Sequence, residues 1–179
     1  MQRTAWRIGL VNVIPAALVT LVTLPALLVG QWHYGTFKDE FTDQTSYYIL
    51  HVVTGVSSRS GDVHGSLAWK CDQRSEPPYI SLLLGTHVGS SITVDYRFDT
   101  TAAVLNQHWG RSDSGDVVFI DSHYVFGDVD EFTGRAKTAS KLLIRVRDSS
   151  DGEVLTYTVD LRGFTAAYAR LPCKARFDH

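Results

Sequence analysis

The chain of 179 residues is long enough for one globular domain with a hydrophobic core and too short for two of ordinary size. Hydrophobic residues make up 44% and charged residues 20%, which is typical of a folded protein and argues against a disordered chain. The formal net charge is −2 and the basic residues form no stripe, so the sequence predicts no nucleic-acid partner.

The first thirty residues differ from the rest. Residues 8–30, IGLVNVIPAALVTLVTLPALLVG, carry no charge. As a helix they would span roughly 34 Å, against about 30 Å for the hydrocarbon core of a bilayer. Trp6 precedes this run and Trp32 and Tyr34 follow it, as expected of aromatic residues at membrane interfaces. We predict an uncleaved transmembrane anchor over 1–30, with 8–30 in the bilayer.

A cleaved signal peptide is the alternative, although the apolar run is long for one and no A-x-A pattern closes it. Arg3 and Arg7 lie before the run, whereas Lys38 stands among acidic residues after it. The positive-inside rule therefore places the N-terminus in the cytoplasm and the remainder outside it. Both alternatives export the rest of the chain.

Cys71 and Cys173 are the only cysteines. In an oxidising compartment an isolated pair is expected to form a disulfide, which would close a loop of about 100 residues. Two buried free thiols are the alternative.

Residues 31–45 are predicted to form a polar stalk and residues 46–179 the exported domain. Alternation of apolar and polar residues predicts about eight strands in that domain. They are SYYILHVVTG, SLAWKC, YISLLLG, ITVDYRFD, AVLNQHWG, DVVFID, KLLIRVRD and VLTYTVDL. Asp151-Gly152 favours a tight hairpin between the last two, and Trp69 and Trp109 are predicted core residues.

Helical spacing predicts two short helices. The first lies in DVDEFTGRAKTAS, where Asp128 and Glu131 match a capping box and one apolar face carries Val129, Phe132, Ala136 and Ala139. The second lies in FTAAYARLPC. The pattern predicts a mainly β domain, an antiparallel β-sandwich or partly open barrel of about eight strands with two short helices.

Charged residues share one face of several predicted strands. Asp95, Arg97 and Asp99 alternate on one strand and Arg145 and Arg147 on another, while Asp160 belongs to a third. If these strands are neighbours, cross-strand charge pairs stabilise the face. The functional alternative is that the same residues bind a partner protein or polar ligand, with Arg97 as anchor, because guanidinium groups recognise carboxylates.

No catalytic or metal-binding pattern stands out. The seven histidines form no pair at i, i+2 or i, i+4, and no G-x-S-x-G or phosphate-binding glycine motif occurs. We therefore predict no enzyme activity, no metal and no cofactor. An envelope hydrolase that uses Asp95 or Asp99 with a nearby histidine as acid and base is the catalytic alternative.

The order of motifs along the chain resembles the VasI/TagO-like family, exported proteins of bacteria and their phages first associated with type VI secretion. The matching stretches are DEFTD (39–43), LAWKC (67–71), VDYRFD (94–99), QHWG (107–110), VDEFTGRAKTASKLLIRVR (129–147) and TVDLRGFTAAYARLPC (158–173). The resemblance covers roughly 37–173 and implies a small exported β-rich domain with a disulfide, here Cys71 with Cys173, and an accessory role. The chain departs from the family pattern at 39–43, where it has DEFTD in place of the usual DPMTD-type stretch.

These inferences predict a single-pass protein of the bacterial inner membrane, with a cytoplasmic N-terminus and a periplasmic domain. Its predicted role is that of an accessory or assembly subunit that docks onto protein subunits of a larger membrane or envelope complex. A soluble ligand-binding module released by signal cleavage is the third possibility, beside the hydrolase.

Overall fold

The computed structural model describes residues 32–74, 76–121 and 129–173. The predicted anchor over 1–30, Trp6 and the predicted capping residue Asp128 lie outside these ranges. Within them, no helix combines the length and the apolar character needed to cross a bilayer.

The described ranges contain ten strands and two helices. The strands are β1 (His33–Lys38), β2 (Thr45–Ser57), β3 (Gly61–Cys71), β4 (Tyr79–Leu83), β5 (Ile92–Phe98), β6 (Val104–Gln107), β7 (Gly110–Arg111), β8 (Val117–Ile120), β9 (Lys141–Asp148) and β10 (Val154–Asp160). The helices are α1 (Val129–Thr138), between β8 and β9, and α2 (Phe164–Tyr168), after β10.

All ten strands belong to one antiparallel sheet, in the order β6-β5-β9-β10-β2-β3-β4-β8-β7, with β1 paired to the first half of β2. The sheet curls into a half-barrel. The prediction of a mainly β, antiparallel domain with two short helices is confirmed. The sandwich alternative is wrong, because a sandwich requires two separate sheets.

The strands at the two ends of this order, β6 and β7, are neighbours in sequence. The sequence predicts one strand over 103–110, but the structure has β6 paired with β5 and β7 paired with β8. Asn106 at the end of β6 has a φ of 55°, a left-handed conformation that asparagine tolerates better than most residues. His108 and Trp109 alone separate the strands that form the two edges of the curled sheet.

The predicted stalk is wrong over 33–38. These residues form β1, which pairs with β2 from His33 opposite Leu50 to Lys38 opposite Thr45. The acidic DEFTD motif makes the connecting turn, where the Asp39 carboxylate accepts hydrogen bonds from the backbone N–H groups of Phe41 and Thr42. The folded domain therefore begins at His33 instead of at the predicted residue 46.

The core lies on the inner face of the sheet, under α1 and α2. The inward residues of β9 and β10 are all at most 1% exposed: Leu142, Ile144, Val146, Leu155, Tyr157 and Val159. The predicted apolar face of α1 is confirmed for Val129, Phe132 and Ala136, which are buried, whereas Ala139 follows the helix and is partly buried against the core. Gly152 has a φ of 76° in the predicted turn between β9 and β10.

An aromatic cluster around Trp69 holds both helices to the sheet. The Trp69 ring lies 4.4 Å from that of Phe164 and 6.0 Å from that of Phe132, between ring centroids. The indole N–H of Trp69 donates a hydrogen bond of 2.8 Å to the Thr133 hydroxyl. Trp109 is 5% exposed and contacts Phe132, so both predicted core tryptophans are confirmed.

Cys71 and Cys173 form the predicted disulfide, with their Cα atoms 6.1 Å apart. The bond joins the end of β3 to the segment that follows α2, across a sequence separation of 102 residues. It therefore fixes the last described residue to the centre of the sheet.

The close approach of β3 to β4 predicts a strong effect of Gly65→Ala. A Cβ at Gly65 would overlap the backbone carbonyl oxygen of Leu83, which cannot rotate away. We expect the free energy of unfolding to fall by about 1–3 kcal/mol, the range for overpacked sites. Urea denaturation followed by tryptophan fluorescence would measure the change.

Gly134→Ala in α1 is the matched control. A Cβ at Gly134 meets no atom within 4 Å, so alanine should stabilise the helix by about 0.5–1 kcal/mol. Equal stability of the Gly65→Ala variant and the natural protein would contradict the packing of β3 on β4.

Candidate functional site

The register of β5 against β9 brings the charged residues of both strands to one outer surface. Asp95 lies opposite Arg145, and Arg147 lies further along β9, opposite Thr93. Arg97 shares the outer side of β5 with Asp95, because alternate residues of a strand point to the same face. We call the surface formed by Asp95, Arg97, Arg145 and Arg147 the arginine face.

Asp95 is the buried centre of the arginine face. It is only 5% exposed, although it lies on the charged outer face of β5. Its Oδ1 accepts hydrogen bonds from Arg147 Nη2 at 2.6 Å and from the backbone N–H of Asn106 at 2.8 Å. Arg147 Nη2 also donates to Asn106 Oδ1 at 3.0 Å. Such partners are what permit a carboxylate to be buried.

Arg145 and Arg97 form the exposed part of the arginine face. Nη1 of Arg145 lies 3.8 Å from Oδ2 of Asp95, close enough for an ion pair and too far for a hydrogen bond. The Arg145 side chain is 53% exposed. Arg97 is exposed and makes no ion pair with an acidic residue of the described ranges. Both guanidinium groups can therefore donate hydrogen bonds outward.

A shallow groove of about 170 Å³ lies in the arginine face. Its charged lining residues are Asp95, Arg97 and Arg145. Its other walls are largely aliphatic and include Leu105, Leu143 and Ala103. The groove therefore offers cationic donors beside an apolar wall, an arrangement suited to an anionic group on an aliphatic stem.

Asp99 belongs to the predicted partner-binding residues, but its carboxylate already accepts hydrogen bonds from backbone N–H groups. It has a φ of 44°, and its Oδ1 accepts hydrogen bonds from the N–H groups of Lys141 at 2.9 Å and Ser140 at 3.1 Å. These bonds fix the start of β9 against the end of β5. Asp99 does not line the groove.

Asp160, the acidic residue on the third predicted strand, pairs locally. Its carboxylate binds the guanidinium of Arg162, and these hydrogen bonds lower the pKa of Asp160. In the sheet Asp160 lies opposite Lys141. It is therefore not part of the arginine face.

The two predicted interface aromatics that the structure describes contact the domain. The Trp32 indole N–H donates to the backbone oxygen of Asp160 at 3.3 Å, and its ring stacks on His51 with centroids 5.2 Å apart. Tyr34 packs against the core, and the Arg170 guanidinium lies 4.5 Å from its ring centroid. The domain therefore engages both rings directly.

Sequence reasoning does not predict a second groove, of about 510 Å³, on the outer surface of β1–β4 and β8. Phe37, Tyr48, Leu83 and Phe119 are among the residues that line it. The sequence feature that could have predicted this groove is that these strands carry apolar residues at outward positions as well as at inward ones. The sequence also does not predict that Leu105 and Asn106 lie at the arginine face. Both lie in the segment where the single predicted strand is divided into β6 and β7.

The catalytic alternative requires a histidine near Asp95 or Asp99. The partners of Asp95 are arginines and a backbone amide, and those of Asp99 are backbone amides, so neither pairs with a histidine in the described part of the chain. In that same part, no group of three histidine, cysteine or acidic residues could hold a metal ion.

Comparison of the chain with protein-family models, curated proteins and solved structures finds no match.

The hydrogen bonds of Asp99 predict a structural role for its carboxylate. We expect Asp99→Ala to lower the free energy of unfolding by about 0.5–1.5 kcal/mol, because the exposed N–H groups of Ser140 and Lys141 lose their acceptor. Asp99→Asn should lose less, since asparagine keeps one acceptor oxygen and tolerates a positive φ. Urea midpoints of the two variants would test this, and an unchanged midpoint for Asp99→Ala would contradict it.

Proposed function

We propose that this protein is a membrane-anchored accessory subunit of the bacterial envelope, non-catalytic, which docks onto protein subunits of a larger membrane complex through the arginine face. The observation that carries the proposal is the pair of outward guanidinium groups, Arg97 and Arg145, above a buried carboxylate. Exposed arginines around a partly apolar groove are typical of protein interfaces, where arginine is enriched.

Three further features support an exported, anchored protein. A disulfide between distant cysteines is characteristic of proteins that mature in an oxidising compartment. Residues 8–30 are long and apolar enough to span a bilayer. The order of motifs resembles that of the VasI/TagO-like family, whose members are exported.

Export and anchoring make a direct prediction about the mature protein. We expect intact mass spectrometry of protein purified from its native membrane to give a chain that keeps residues 1–30. Without reductant it should be lighter by two hydrogen atoms than after reduction, because the two thiols are joined. A chain that starts near Gln31 would refute the anchor, and an unchanged mass on reduction would refute an oxidising location.

Docking through the arginine face predicts that charge reversal at Arg97 releases the partner. We expect Arg97→Glu to remove stoichiometric subunits from the full-length protein purified in mild detergent, because an anionic partner surface would then be repelled. Quantitative mass spectrometry of the purified complex would measure the loss.

Arg74→Glu is the matched control, since Arg74 is an exposed arginine that contacts Tyr47, remote from the groove. This variant should keep the partner. Circular dichroism should show both variants folded. If Arg97→Glu and the natural protein retain the same subunits in the same ratio, the arginine face is not the docking surface.

A further inference from the structure

Asp95 carries an unsatisfied acceptor at the floor of the groove. Its Oδ2 is buried and has no hydrogen-bond partner in the part of the chain that the structure describes. Nη1 of Arg145 lies 3.8 Å from Oδ2, which is too far for it to donate a hydrogen bond. A buried acceptor left in this state costs about 1–3 kcal/mol, so a ligand that satisfies it would bind with that advantage.

The groove also has an excess of positive charge. Arg97 and Arg145 line the groove with the single carboxylate of Asp95, which is hydrogen-bonded to Arg147 and to neither of them. Asp99, which follows the end of β5, accepts hydrogen bonds from the backbone N–H groups of Ser140 and Lys141. The charge balance therefore favours an anion between Arg97 and Arg145.

The size of the groove limits the size of the group that bears the negative charge. Its volume of about 170 Å³ is smaller than the about 300–1,000 Å³ of pockets that enclose whole small molecules. One residue of a partner fits this space better than a complete metabolite. The aliphatic walls at Leu105 and Leu143 suit an apolar side chain.

We infer that the groove binds the C-terminal residue of a partner protein, one with an apolar side chain. The terminal carboxylate lies between Arg97 and Arg145, and the last amide N–H donates to Oδ2 of Asp95 once the Arg145 side chain has turned toward the carboxylate. The apolar side chain packs on Leu105 and Leu143. A glutamate side chain would supply the carboxylate without an adjacent N–H, which is why a chain end fits better.

This inference rests on the docking role proposed above and identifies the partner group. The minimal probe is N-acetyl-leucine, which contains a terminal carboxylate, an amide N–H and an apolar side chain. Titration of the full-length ¹⁵N-labelled protein in mild detergent would follow backbone amide shifts of Leu105 and Leu143 by NMR. We expect saturable binding of N-acetyl-leucine.

Matched probes separate the contributions. N-acetyl-leucinamide lacks the carboxylate and 4-methylpentanoate lacks the amide N–H, so each should bind more weakly by about tenfold or more. Arg97→Gln should weaken N-acetyl-leucine binding similarly, whereas Arg74→Gln should not. Free leucine, whose ammonium group could pair with the Asp95 carboxylate, distinguishes an amino acid from a chain end.

Equal binding of the acid and the amide, or no saturable shift with N-acetyl-leucine, would overturn the inference. Tighter binding of free leucine would assign the groove to an amino acid instead of a chain end. If the probe fails while subunit retention still depends on Arg97, the docking role stands and only the chain-end assignment falls. If Arg97→Glu retains the subunits, the docking role itself falls.

Discussion

The hydrogen-bonded register between β5 and β9 is the constraint on which the core and the candidate site both depend. Val94 lies opposite Val146 on the inner face, and Asp95 lies opposite Arg145 on the outer face. Because side chains alternate with a period of two, a slip of one residue would place the valines in solvent and the charges in the core. One pairing therefore decides where the apolar residues are buried and where the arginines are displayed.

Burial of Asp95 strengthens that constraint. A carboxylate that is 5% exposed is tolerated only when cations and amides surround it, and the cations here come from the neighbouring strand. Pairing in a wrong register would leave Asp95 buried without Arg147, which is far more costly than the net gain of the correct pair. The ion pair between Asp95 and Arg147 therefore mainly favours the correct register of β5 against β9 and adds little net stability. It also leaves Arg145 only loosely held, so the same arrangement that selects the register keeps a cation available at the surface.

The sequence predicts the regular part of the fold well because strict alternation leaves little choice. KLLIRVRD and VLTYTVDL, joined at Asp151-Gly152, specify β9, β10 and their turn, and the helical spacing around Phe132 specifies α1. Prediction fails where a pattern depends on distant partners. Residues 33–38 look polar enough for a stalk, and only their pairing with β2 makes them a strand. The burial of Asp95 and the bend at Asn106 likewise follow from neighbouring strands that local sequence does not reveal.

The position of β1 bears on how the domain would sit in a membrane complex. The apolar run ends at Gly30 and β1 begins at His33, while Trp32 packs between His51, Trp69 and Phe164 in the core. If residues 8–30 span a bilayer, as proposed, only residues 31 and 32 separate the bilayer from β1. A long flexible stalk would let the domain search a wide volume for its partner, whereas such a short connection would hold it at the membrane surface. That restriction would raise the effective concentration of a partner in the same membrane, so a small groove of modest affinity would be sufficient for the proposed docking.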